Sequence, residues 1–154
     1  MSCTILNGLT IDCKNTNAGG IKNIYVSEKA GVSAILPLAS SIVSSIQRTG
    51  GKKFYKFALW HRNTNQADIG SIQDTSNGSV VFNQSLSVQF PKLSGDKSDT
   101  IDSLLRNSTL IIVETKAGKF FLLGMENGMD VTAGTSPTGN AMTDYTGYTL
   151  EFSG

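Results

Sequence analysis

The stretch Thr109 to Gly124 reads TLIIVETKAGKFFLLG, and it constrains this chain more than any other. Leu110, Ile111, Ile112 and Val113 are uncharged β-formers in succession, the pattern of a strand covered on both faces. Phe120, Phe121, Leu122 and Leu123 repeat the pattern and stop at Gly124. Between the arms, Glu114 to Gly118 supply the polar and flexible residues of a short turn, so the stretch is expected to be a core hairpin. Just upstream, Ile101, Leu104 and Leu105 fall at i, i+3 and i+4, which predicts one helical face over Asp99 to Arg106. Ser98 or Asp99 is placed to cap it, giving a short α-helix at about 98–106, and the early acids suit the positive end of its dipole. The expected fold is mainly β, a sandwich or barrel carrying that one helix.

A chain of 154 residues is the size of a single domain, 1–154, and buries roughly two thirds of its unfolded surface. Thirteen Lys and Arg against 12 Asp and Glu leave no global field to draw in nucleic acid or an anionic membrane. Sparse charge (16%) and 16 glycines fit many short strands better than a helical bundle. Cys3, Cys13 and His61 cannot complete a four-ligand zinc site. The cysteines read as free, partly buried thiols, with a disulfide open to them only if both lie on paired strands. The opening MSCTILNGLTIDCK has no basic segment before a continuous apolar core, so it is not read as a signal peptide, and no window approaches a membrane span.

Along the chain, alternation over Leu6 to Cys13 predicts a first strand, broken by Asn15 to Gly20. Ile21 to Val26 resumes it, with Ile21, Asn23 and Tyr25 on one face and Lys22, Ile24 and Val26 on the other. Ala30 to Gln47 is divided between helical and strand periods, with Pro37 in its middle; the β-branched Ile42, Val43 and Ile46 favour a strand over Ser41 to Arg48. Thr49, Gly50 and Gly51 are expected to turn that strand back into Lys53 to Trp60, which should be central or lie against a neighbouring molecule because both its faces are apolar. Asn63 to Ser71 reads as polar connection, and Asn77-Gly78 as a tight turn. Beyond it, Val80, Phe82, Gln84, Leu86, Val88 and Phe90 alternate with Val81, Asn83, Ser85, Ser87 and Gln89, a long strand with one apolar face and one polar, uncharged face. Met125 to Asn140 reads as an exposed loop, and Tyr145 to Phe152 as a closing strand.

Chemistry is sparse. His61 and Cys13 lack the neighbours a general base or nucleophile needs, so no catalytic residue and no cofactor is assigned. Glu126, Asp130 and Asp144 have loop carboxylates but not the spacing of a calcium loop. Arg48, Lys52, Lys53 and Lys56 interleave with Phe54, Tyr55 and Phe57, a pattern that invites a nucleic-acid reading but more often marks a strand with one wet edge.

A strand pair around Lys53 to Phe90, the helix Asp99 to Arg106, the TLIIVETKAGKFFLLG hairpin and the closing GYTLEF together resemble the tail-tube protein fold of tailed bacteriophages. Asp12, Cys13, Asn15, Gly19, Gly20, Ile21 and Tyr25, with LLGMENGMDVTAGTSPTGNAMTDYTGYTLEFSG at the other end, are similar to small structural proteins of phages that infect Bacteroidetes. The resemblance implies a virion protein, assembled in the host cytoplasm, that closes into hexameric rings stacked into a tube. Its partners are then further copies, other tail or neck proteins, and double-stranded DNA in transit. The residues expected at subunit contacts or on the lumen are Lys56, Ala58, Trp60, Asn77, Val81, Asn83, Ser85, Ser87 and Gln89. Asn83, Ser85, Ser87 and Gln89 suit a channel wall, since few cations there means little grip on phosphate. A head decoration or connector protein is the alternative within that class. A monomeric β-barrel binding a small ligand or glycan, through Trp60, Tyr145 and Tyr148, is the alternative outside it.

Overall fold

The structure, a computed structural model, describes residues 19–39, 42–59, 65–74, 76 and 78–154. It is mainly β, and all its strand pairings are antiparallel. One sheet contains β1 (Ile21–Glu28), β4 (Tyr55–Ala58), β7 (Thr109–Thr115) and β8 (Phe120–Leu123), in the order β4-β1-β7-β8. A second contains β5 (Gln66–Asp74), β6 (Ser79–Pro91), β9 (Asp130–Thr135) and β10 (Gly147–Ser153), in the order β5-β6-β10-β9. β2 (Val32–Ala39) and β3 (Ile42–Arg48) form a separate two-stranded hairpin. The helix α1 spans Gly95–Arg106.

The two four-stranded sheets face each other and bury one core. Ile24, Val26, Ile111 and Val113 come from the first sheet; Leu86, Val88, Leu150 and Phe152 come from the second. Each of these side chains is worth about 1.5–3 kcal/mol of burial, so the cluster is what holds the sheets together. The TLIIVETKAGKFFLLG stretch is indeed a hairpin, with Ile111 opposite Leu123 and Val113 opposite Phe121. Its first arm is covered as expected. The second arm is not, because β8 is the outermost strand of its sheet among the described residues and leaves Phe120 and Phe121 exposed.

The helix begins a turn earlier than the spacing suggests. Ser94, in extended conformation, accepts a hydrogen bond from Lys97 N and is the cap, in place of Ser98 or Asp99. Leu104 is buried and Ile101 half-buried, but Leu105 is 53% exposed, since a single row of side chains is all that this crossing needs. Tyr148 on β10 fastens the helix, sharing a 2.6 Å hydrogen bond with Ser98 and donating to Ser94 O at 3.1 Å.

Four other expectations change. Lys53 to Trp60 does not pair with Ser41 to Arg48: β3 pairs with β2, while β4 pairs with β1 and takes an edge, not the centre. The Gly50-Gly51 turn, with φ of +63° and +71°, redirects the chain between sheets. Lys22 does not share a face with Ile24 and Val26, because the ladder to β7 slips between Ile21 and Asn23 and brings Ile21 into the core instead. Asn63 to Ser71 and Met125 to Asn140, both read as connections, contain β5 and β9. The Leu6 to Cys13 strand, both cysteines and His61 lie outside the described residues.

Candidate assembly surface

The long strand β6 outruns its sheet. It pairs with β10 from Ser85 to Pro91, and Gln84 closes the ladder through two backbone bonds to Gly154. From Asn83 back to Ser79 its partner among the described residues is β5 alone. The two strands therefore leave the sandwich as a two-stranded ribbon. The alternation expected for β6 holds, but its apolar face is covered only at Leu86, Val88 and Phe90. Phe82 is 66% exposed, and Val80, Val81 and Ile69 are more than half exposed. Among the described residues of one copy, the apolar side chains on both faces of this ribbon have no facing element to bury against.

Beside the base of this ribbon lies β8. Gly124, at its end, takes φ +77° and donates its N–H to Gln84 Oε1 at 2.7 Å, which fixes β8 against β6. An added Cβ on Gly124 meets Gly128 and Met129 backbone at 2.8 Å, so only glycine fits. Between β8 and β5 the sandwich is open as a crevice of about 310 Å³, walled by Ile21, Ala67, Val113, Phe121 and Leu123. Asn65 heads it. This side chain is buried; its Oδ1 accepts from Gln89 N at 2.8 Å, but its Nδ2 has no partner. A larger apolar groove, about 830 Å³, adjoins it between the β2–β3 hairpin and the outer side of β7 and β8, and Ile69 and Phe121 line both. The sequence carried a faint sign of this surface in the alternating Ala67 and Ile69. It carried none for Asn65, whose role depends on which sheet edges meet.

The outer face of the second sheet is of another kind. Asn83, Ser85, Ser87 and Gln89 alternate away from the buried Leu86, Val88 and Phe90, as expected, and are joined by Gln66, Asp68 and Glu151. β5, β6, β9 and β10 contain no Lys or Arg, while Asp68 and Glu151 bring negative charge. The other expected site residues do not extend this face. Val81 belongs with the apolar ribbon. Lys56 and Ala58 are exposed on β4 in the opposite sheet, where Phe57 between them turns inward to meet Phe90 at 5.7 Å. Trp60 and Asn77 lie outside the described residues, while Gly78 has the φ of +66° that a tight turn requires.

The basic run is largely engaged. Lys52 pairs with Glu28 at 2.6 Å, Arg48 lies over Phe54 at 5.2 Å and Lys53 lies over Tyr55 at 5.7 Å. On the outer side of the first sheet, Asn23 donates to Glu114 at 2.8 Å and Tyr25 at 3.2 Å, with Lys22 at 3.6 Å. The bond from Asn23, followed by those from Tyr25 and Lys22, holds the Glu114 carboxyl below its ordinary range against the opposing effect of burial. The loop acids have local duties: the Asp144 carboxylate accepts from Asn140 N and Ala141 N at 2.8 Å, and Asp130 from Ser108. Among the described residues no three His, Cys, Asp or Glu converge on a metal position. Tyr148 is buried, and the Tyr145 hydroxyl donates to the Phe90 and Tyr148 backbone carbonyls. No helix among the described residues is long and apolar enough to cross a membrane.

No protein-family model matches the chain, and no curated protein or solved structure matches it either.

Proposed function

We propose that this protein is a structural subunit that works by assembling with its own copies, of the tail-tube type that its order of parts resembles. Rings of copies stack into a tube through which double-stranded DNA leaves a phage head. The observation that carries the reading is the β5–β6 ribbon, which projects past its sheet with Val80, Val81 and Phe82 open to water, above an exposed Ile69 at its base. Such a ribbon is a cost to a solitary chain and an asset to one with neighbours.

The second sheet supports the same reading. A wall of Asn, Ser and Gln with Asp68 and Glu151, and no Lys or Arg in its four strands, has nothing to condense onto phosphates. DNA slides past a surface of that kind; a cationic wall would hold it.

Light scattering coupled to size-exclusion chromatography, followed by negative-stain microscopy, tests the proposal. Rings or tubes are the expected result. A monomer up to high micromolar concentration, in low and high salt, overturns it. Rings that cap or join particles without stacking point instead to a head or connector role.

A further inference from the structure

We infer that the ribbon of one copy docks into the crevice between β5 and β8 of the next, so that each subunit carries both halves of one head-to-tail contact. The inference rests on the self-assembly reading and names the surfaces that carry it out.

The crevice has the chemistry of a slot for an extended backbone. Its walls are apolar, and its lips are the outermost strands of the two sheets among the described residues. The ligand class is therefore a β-strand with apolar side chains, joined by strand addition.

The same chain supplies such a strand. Ser79–Asn83 is a five-residue segment of β6 without a second strand neighbour among the described residues, and β8 is four residues long. The lengths match. Phe82, Val80 and Val81 together expose on the order of 300 Å², more than a third of what each side of a stable interface buries. The exposed Phe120, Phe121 and Met125 beside the slot offer the complementary apolar area. Neither Ser79–Asn83 nor the crevice lining contains a charged residue; Asp74 stands opposite Ser79 at the far end of the ribbon. Because ribbon and slot are different surfaces, the contact is heterologous, and its repetition closes a ring or runs on as a filament.

The test uses two full-length variants, Phe82→Asp on the ribbon and Phe121→Asp at the slot. Both positions are exposed, and circular dichroism with thermal melting checks that each variant folds; Phe121→Ser replaces Phe121→Asp if that one does not. Each alone is expected to remain monomeric. Mixed in equal amounts they retain one intact ribbon and one intact slot, and are expected to form a 1:1 dimer that grows no further. A second measurement removes Cys3 and Cys13 by serine substitution, then mixes Phe82→Cys with Phe121→Cys; a disulfide-linked heterodimer on mild oxidation supports the contact. Variants that assemble like the natural chain overturn the docking and leave self-assembly standing. A mixture that stays monomeric also overturns the docking. A natural chain that never assembles overturns both.

Discussion

Replacing Phe82 by Ala separates what this side chain does for the fold from what it does between copies. With 66% of the residue exposed, the change removes almost nothing from the core, and stability should alter by no more than about 0.5 kcal/mol, or roughly 1–2 °C in Tm for a chain of this length. Docked against a neighbour, the ring loses contact with water over about two thirds of its roughly 200 Å². At about 25 cal/mol per Å² that burial is worth about 3 kcal/mol, of which the alanine methyl recovers a part. A net loss of about 2 kcal/mol per contact raises the concentration for half-assembly about 30-fold. Sedimentation velocity over a dilution series reads that midpoint, and differential scanning calorimetry of the monomer reads the fold. A fall in Tm of 8 °C or more refutes the placement of Phe82 outside the core. An unchanged midpoint refutes the ribbon as an assembly element.

Phe152→Ala is the reverse case: the ring is fully buried between the sheets, so a loss of about 3–5 kcal/mol is expected in denaturant unfolding. Leu104→Asp places an unpaired charge under the helix and should unfold the chain, whereas Leu105→Asp, one position on, should leave circular dichroism and Tm nearly unaltered. Glu114 has a folded-state carboxyl below its ordinary pKa, so its contribution is complete above the unfolded value of about 4.3 and is lost as pH falls through the folded one. Stability measured from pH 7 to pH 2 should therefore fall less steeply at the acid end in Glu114→Gln than in the natural chain. Ser85→Lys with Glu151→Lys puts cations on the wall of the second sheet; assembled particles should then retain DNA in a salt-dependent manner while subunit folding is unchanged.

Local chemistry decided much of this protein in advance. Leu110 to Val113 read as a covered strand and the 3.6-residue spacing of Ile101 and Leu104 marked one helix, because each signal acts over a few neighbouring residues; the turn read over Glu114 to Gly118 is shorter, since Glu114 and Thr115 continue β7. The alternation through β6 also placed Asn83, Ser85, Ser87 and Gln89 on a common face correctly. Periodicity gives the face a side chain points to, however, and not whether anything stands opposite. Val80 and Phe82 follow the same rhythm as Leu86 and Val88, yet only the latter pair meets a facing sheet. Equally, the apolar residues on both faces of Lys53 to Trp60 pointed to a central strand, and only its lysines hinted that β4 lies on an edge; a one-residue slip at Lys22 reassigns Ile21 to the core. β5 and β9 were hidden by their polar composition, since strands with one wet face carry few of the residues by which strands are recognised. Pairing, edges and the Asn65 crevice arise from contacts between segments far apart in the chain, so they exist only once the two sheets have closed on each other.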